Sequence, residues 1–126
     1  MKLEPNQSLT LDVLARLPWN KTVLEILPGE TYQFEAEGRW TDSTFKTDAD
    51  GYTNWYMNLY NYFKRVKNAK WFELIGSIDK VNFYRIGKKS TFTFREAGTL
   101  CLFANDVSGF YWNNSGKLLL TITRVS

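Results

Sequence analysis

The loop Ala104-Asn-Asp-Val-Ser-Gly-Phe-Tyr-Trp-Asn-Asn-Ser-Gly116 gathers most of the chemistry this chain offers. It holds one carboxylate (Asp106), two adjacent side-chain amides (Asn113 and Asn114) and backbone carbonyls that Gly109 and Gly116 free to turn. Hard oxygen donors on a loop are what calcium takes. Phe110, Tyr111 and Trp112 lie among them, flat apolar rings of the kind that meet a small polar ligand such as a sugar. The same residue types also build ordinary hairpin loops, because Asn, Asp, Ser and Gly tolerate positive φ and bond their own backbone. Composition alone leaves both readings open.

Three further acids, Asp42, Asp48 and Asp50, fall in the polar stretch 41–53. Asp42 is either a ligand or the start of an Asx turn after Trp40. Two carboxylates two positions apart, Asp48 and Asp50, invite comparison with glycoside hydrolysis. Nothing else in the chain supports that chemistry, so they read as solvated loop acids. Histidine is absent, which removes the commonest general base and transition-metal ligand. The single cysteine, Cys101, allows no disulfide within the chain and no zinc site of the usual kind. A binding protein is expected, not an enzyme.

The elements that would position this loop alternate between apolar and polar residues. Strands are expected at Leu9–Ala15, Val23–Leu27, Thr31–Glu37, Trp71–Ile78, Val81–Ile86, Ser90–Arg95, Thr99–Phe103 and Lys117–Arg124. Many short strands at fairly even spacing argue for an all-β sandwich or barrel in one domain spanning 1–126. Residues 41–53 read as a long loop. Asn54–Lys70 is ambiguous: Trp55, Tyr56, Leu59, Tyr60 and Phe63 fit a helical stripe, and Tyr56, Asn58, Tyr60 and Tyr62 fit a strand face. A strand or irregular insertion is favoured, since aromatics outnumber good helix formers.

A net charge of +3 is too weak to indicate nucleic-acid binding. The basic cluster Lys64, Arg65, Lys67 and Lys70 beside aromatics is the one local feature that would suit single strands, and no nucleic-acid partner is assigned. No apolar run reaches the length of a membrane span, and the polar start Met-Lys-Leu-Glu-Pro shows no secretory h-region. The chain is expected to be cytoplasmic, or released without a signal peptide of the usual kind.

The pattern Gly98-Thr-Leu-x-Leu102-x-x-Asn105-Asp-Val107-x-Gly109-x-Tyr111-x-Asn113-Asn-Ser-Gly116, followed by an alternating strand, resembles the calcium loop of the PA-IL-type galactophilic bacterial lectins. Val13-Leu-Ala15, Pro28-Gly29, Ala36-x-Gly38-x-Trp40 and Leu74-Ile-Gly-Ser-Ile78 resemble other segments of that family in the same order. The resemblance implies a small jelly-roll β-sandwich of galactose-binding-domain-like type with one calcium. It implies that Asp106, Asn113 and Asn114 side chains hold the ion with two backbone carbonyls, one at Phe110 and one near Asp42–Ser43. Sugar hydroxyls would complete the coordination. The expected sugar-facing residues are Asp106, Asn113, Val107, Trp112, Tyr111, Thr47 and Asp50. In the family a His and a Gln contact the sugar where Thr47 and Asp50 stand here, so a galactoside is a candidate ligand, not an assigned one. Tyr52–Lys70 has no clear counterpart and would reshape the pocket or a homo-oligomer interface.

Overall fold

A computed structural model describes residues 1–126. Its strands, in chain order, are β1 (Ser8–Leu14), β2 (Asn20–Ile26), β3 (Thr31–Glu37), β4 (Trp40–Asp42), β5 (Phe45–Thr47), β6 (Leu74–Ser77), β7 (Tyr84–Arg85), β8 (Lys89–Thr93), β9 (Gly98–Ala104) and β10 (Asn114–Arg124). They form two antiparallel sheets that face each other across one core: an all-β sandwich. No helix is long and apolar enough to cross a membrane.

The organising strand is β10. Leu118, Leu120 and Ile122 alternate inward and are fully buried, while Lys117 before them and Leu119 between them face outward. Leu119 pairs with Asp12 of β1 on one side and Glu37 of β3 on the other. β3 and β4 then run along the same edge of β10 in a single register, from Arg124↔Tyr32 to Asn114↔Asp42. Gly38, at φ 96°, lets the chain bend between them. This continuous register brings Asp42 level with Asn114. β8 and β5 complete the first sheet, and the second runs β2-β9-β6-β7.

Tyr32 and Phe34 of β3, Trp40 of β4, Leu24 and Ile26 of β2, and Leu100 and Leu102 of β9 fill the interior. Period-2 alternation accounts for them. A second, smaller cluster lies on the outer face of the second sheet, where Val66 and Ala69 cover Ile75 and Phe103. The peptide that does this is fastened by Asn105. Its Oδ1 accepts Val66 N–H at 2.9 Å, and its Nδ2 donates to the carbonyls of Val66 (2.8 Å) and Lys70 (3.0 Å). Arg65 caps the cluster: its guanidinium lies 3.5 Å from the Phe103 ring centroid and bonds the Pro18 carbonyl at 2.6 Å.

Several expectations need correction. The stretch 41–53 is not a structureless loop, because β4 and β5 form a tight hairpin within it. Residues 54–70 are not a strand: Met57–Phe63 is a 3-10 helix, so the helical stripe was the better signal. The apolar run Trp71–Ile78 is extended in the sheet only at Leu74–Ser77, since Phe72 sits at φ 59° and breaks the strand. Val81–Ile86 yields only Tyr84–Arg85 because Asp79 ties the preceding turn, accepting N–H bonds from Val81 (2.9 Å) and Asn82 (2.7 Å).

Candidate cation and ligand site

Three elements converge at one end of the sandwich. Asp42 ends β4, Asn113 ends the 3-10 turn Tyr111–Asn113, Asn114 begins β10, and Asp106 lies two residues past the end of β9. The β4–β10 pairing sets Asp42 beside Asn114, and Ser43 N–H bonds the Asn113 carbonyl at 3.2 Å. Asn114 Nδ2 donates to Asp106 Oδ2 at 3.0 Å and to the Ala15 carbonyl at 3.1 Å. Asp106 Oδ1 accepts its neighbour Val107 N–H at 2.7 Å. Tyr52 donates its phenol to Asp42 Oδ2 at 2.7 Å.

Asp42, Asp106 and Asn114 are buried, at 7%, 4% and 2% exposure. Burial drives the Asp106 carboxyl up to about 6, and the nearby negative charge of Asp42 adds to it against the Val107, Asn114 and Arg65 contacts. Burial also raises Asp42, with the Tyr52 bond opposing. Burial and the bond to Asp42 keep the Tyr52 phenol protonated as a donor. Arg65 acts on Asp106 only at a distance, and neither carboxylate forms an ion pair.

The side-chain oxygens of Asn113 and Asn114 are both buried and accept no hydrogen bond. A buried polar atom left unpaired costs about 1–3 kcal/mol. Two such atoms lie near two desolvated carboxylates, which concentrates unpartnered oxygens in one place. Every donor is oxygen, which fits calcium and does not fit zinc or copper. No three His, Cys, Asp or Glu side chains gather anywhere in the fold, so the oxygen set depends on these amides.

A cleft of about 460 Å³ opens over this group. Asp42, Asp106 and Asn113 supply its polar lining. Tyr56, Met57, Tyr60 and Phe63 come from the 3-10 helix, and Trp71, Val107 and Phe110 complete the apolar wall. The cleft thus combines an acidic, oxygen-rich patch with aromatic faces.

Of the residues expected here, Asp42, Asp106, Val107, Phe110 and Asn113 line the cleft. Asn114 is buried, bonded to Asp106, and Ser43 is exposed on the β4–β5 turn at φ 56°. The other four do not line it. Tyr111 is turned inward, donating to the Ala104 carbonyl and receiving Arg65 Nη1 at 2.8 Å. Trp112 is 72% exposed and contributes nothing to the lining. Thr47 is buried in β5. Asp50 accepts Lys88 N–H at 2.7 Å and so fastens the turn at Gly87. Sequence reasoning assigned no role to Tyr52 or Trp71 in the site. The spacing of Tyr56, Tyr60 and Phe63 on a helical stripe was the available signal for the cleft wall.

No family model matches the chain, and no curated protein matches it. Among solved structures it is similar to one described as "EclA N-terminal domain; PllA-like lectin". The two share 18% identity over 91% of this chain and 94% of that one, with a TM-score of 0.70. The chain therefore has the fold of a PllA-like lectin, as the PA-IL-type resemblance of its C-terminal loop implies.

Proposed function

We propose that this chain is a carbohydrate-binding module in which a calcium ion held at the Asp106 loop takes sugar hydroxyls as ligands. The observation that carries this reading is the pair of buried, unpartnered carboxamide oxygens on Asn113 and Asn114, set beside the carboxylates of Asp42 and Asp106. Asp106, Asn113, Asn114 and Asp42 would hold the ion through side chains, with the carbonyls of Phe110 and Ser43 as the expected backbone ligands. When bound, the ion supplies positive charge and open coordination positions for neutral vicinal hydroxyls. Two carboxylates match its charge, so a neutral diol adds no imbalance. Tyr52 positions Asp42 by donating to one oxygen and leaving the other free. The aromatic wall excludes water and offers apolar faces to the sugar's C–H surface.

The lectin fold supports a binding role. The test is a glycan array read in calcium and again in EDTA, followed by calorimetry on each hit. Signals that require calcium and vanish in Asn113→Ala are expected. Glycan binding that persists in EDTA, or calcium binding unaffected by Asn113→Ala, would overturn the assignment.

A further inference from the structure

The 3-10 helix that walls the cleft is also apolar on the side away from it. Trp55, Leu59 and Tyr62 are 81%, 72% and 73% exposed, and none of the helix's residues is buried. Two of these exposed rings adjoin rings of the cleft wall: Trp55 meets Tyr56 at 6.2 Å between centroids, and Tyr62 meets Phe63 at 5.7 Å. Contiguous exposed apolar surface of this kind marks a face that something covers.

Charge indicates what covers it. Residues 51–72 contain Lys64, Arg65, Lys67 and Lys70 and no acid, which exceeds the net +3 of the entire chain. Lys64 is consumed internally, donating to the Ala69 carbonyl at 2.7 Å, and Arg65 is held by Pro18 and Tyr111. Lys67 and Lys70 are exposed and form no ion pair, and Lys67 Nζ stands 4.1 Å from the Tyr62 ring centroid. The Lys67 charge at the edge of this face, with Lys70 three residues along the chain, opposes pairing with a second copy and favours an anionic partner. Two free cations are few for a run of nucleic-acid phosphates, and Leu59 gives bases nothing to stack on. Exposed Trp, Tyr and Leu flanked by lysines match the interfacial zone of a lipid bilayer, where amphipathic rings sit at headgroup depth and lysines meet anionic phosphates.

We propose that the Trp55–Phe63 face docks on the interface of an anionic lipid bilayer. Trp55, Leu59 and Tyr62 enter the headgroup layer, and Lys67 and Lys70 lie against lipid phosphates. The cleft borders this face, so docking presents the candidate cation site to the headgroups.

The test uses the full chain in EDTA without sugar, so its result is independent of the calcium reading. Co-sedimentation is measured with vesicles of phosphatidylcholine, alone and mixed with phosphatidylglycerol, while tryptophan emission is recorded. Binding to the anionic vesicles with a blue shift is expected. The triple variant Trp55→Ser, Leu59→Ser, Tyr62→Ser, none of whose positions lines the cleft, should bind at least about tenfold more weakly. Lys67→Gln and Lys70→Gln should each cost about fivefold. Absence of vesicle binding overturns the proposal. So does binding that the triple variant retains. Binding of a single-stranded oligonucleotide in place of vesicles, or a dimer lost in the triple variant, assigns the face to those partners and overturns it equally.

Discussion

Replacing Asp106 by Asn should stabilise the metal-free protein while abolishing its response to calcium. Asp106 is 4% exposed and its carboxyl is pushed up to about 6. An unfolded chain ionises the same group near its ordinary 3.8. Above pH 6 the fold therefore carries a charge it would rather neutralise, at a cost of about 3 kcal/mol. Asparagine removes that charge and its repulsion with Asp42. It also places an amide N–H₂ where the carboxylate accepted from Val107 and Asn114, which takes back about 1 kcal/mol. The net expectation is a gain of about 1–2 kcal/mol at pH 7.5 in EDTA, read as the shift of a urea midpoint at constant slope. The pH dependence follows from the same group. Its folded value lies above its unfolded one, so the fold binds the proton more tightly, and metal-free wild type loses stability as pH rises from about 4 to about 6. Calcium competes with that proton, so its stabilising effect should grow over the same window and be weak below pH 5. Asp106→Asn should flatten both profiles. A metal-free variant less stable than wild type at pH 7.5, or one that still gains stability from calcium, would refute this account of the acid pair.

Other consequences follow from packing. Asn105→Ala leaves the buried Val66 N–H without an acceptor and removes the bonds to the Val66 and Lys70 carbonyls, which should cost about 2–4 kcal/mol, measured by chemical unfolding. Gly51→Ala would drive a Cβ into the Trp71 carbonyl at φ +75°, so a severe loss of melting temperature, at least about 10 °C, is expected. Glu30 is buried, works against its desolvation through Lys2, Leu27 N–H and Tyr32, and is held below the usual carboxylate range. Glu30→Gln should cost about 2 kcal/mol at pH 7 and less as acid removes the wild-type charge, which thermal melts at several pH values would show.

Much of this fold was legible because alternation and burial coincide. β1, β3 and β9 match expectation within a residue or two, whereas β10 starts three residues earlier than expected, because Asn114–Gly116 look like loop composition and act as strand. They do so because β4 supplies a pairing edge, a tertiary fact with no local signature. The β4–β5 hairpin was hidden for the same reason: Thr41, Asp42, Ser43 and Thr44 read as polar loop, and Trp40 is its one buried apolar residue. Asp106, Asn113 and Asn114 stand out through the order of their residue types, and the fold brings them to one end of the sandwich. Asp50 was misjudged because its carboxylate serves a turn nearly forty positions away, at Lys88. Tyr52 and Trp71 reach the site through the isolated Tyr52↔Trp71 bridge, which no spacing rule foretells.

The most direct measurement is thermal unfolding of metal-free protein with EDTA and with calcium at pH 7.5. A ligand at about 100 times its Kd stabilises the folded state by about 2.7 kcal/mol, a rise of roughly 5–10 °C for a domain of this size. The expected result is a rise of that order in wild type and none in Asp106→Asn. Identical melting curves with and without calcium would contradict the assignment of Asp42, Asp106, Asn113 and Asn114 as a cation site.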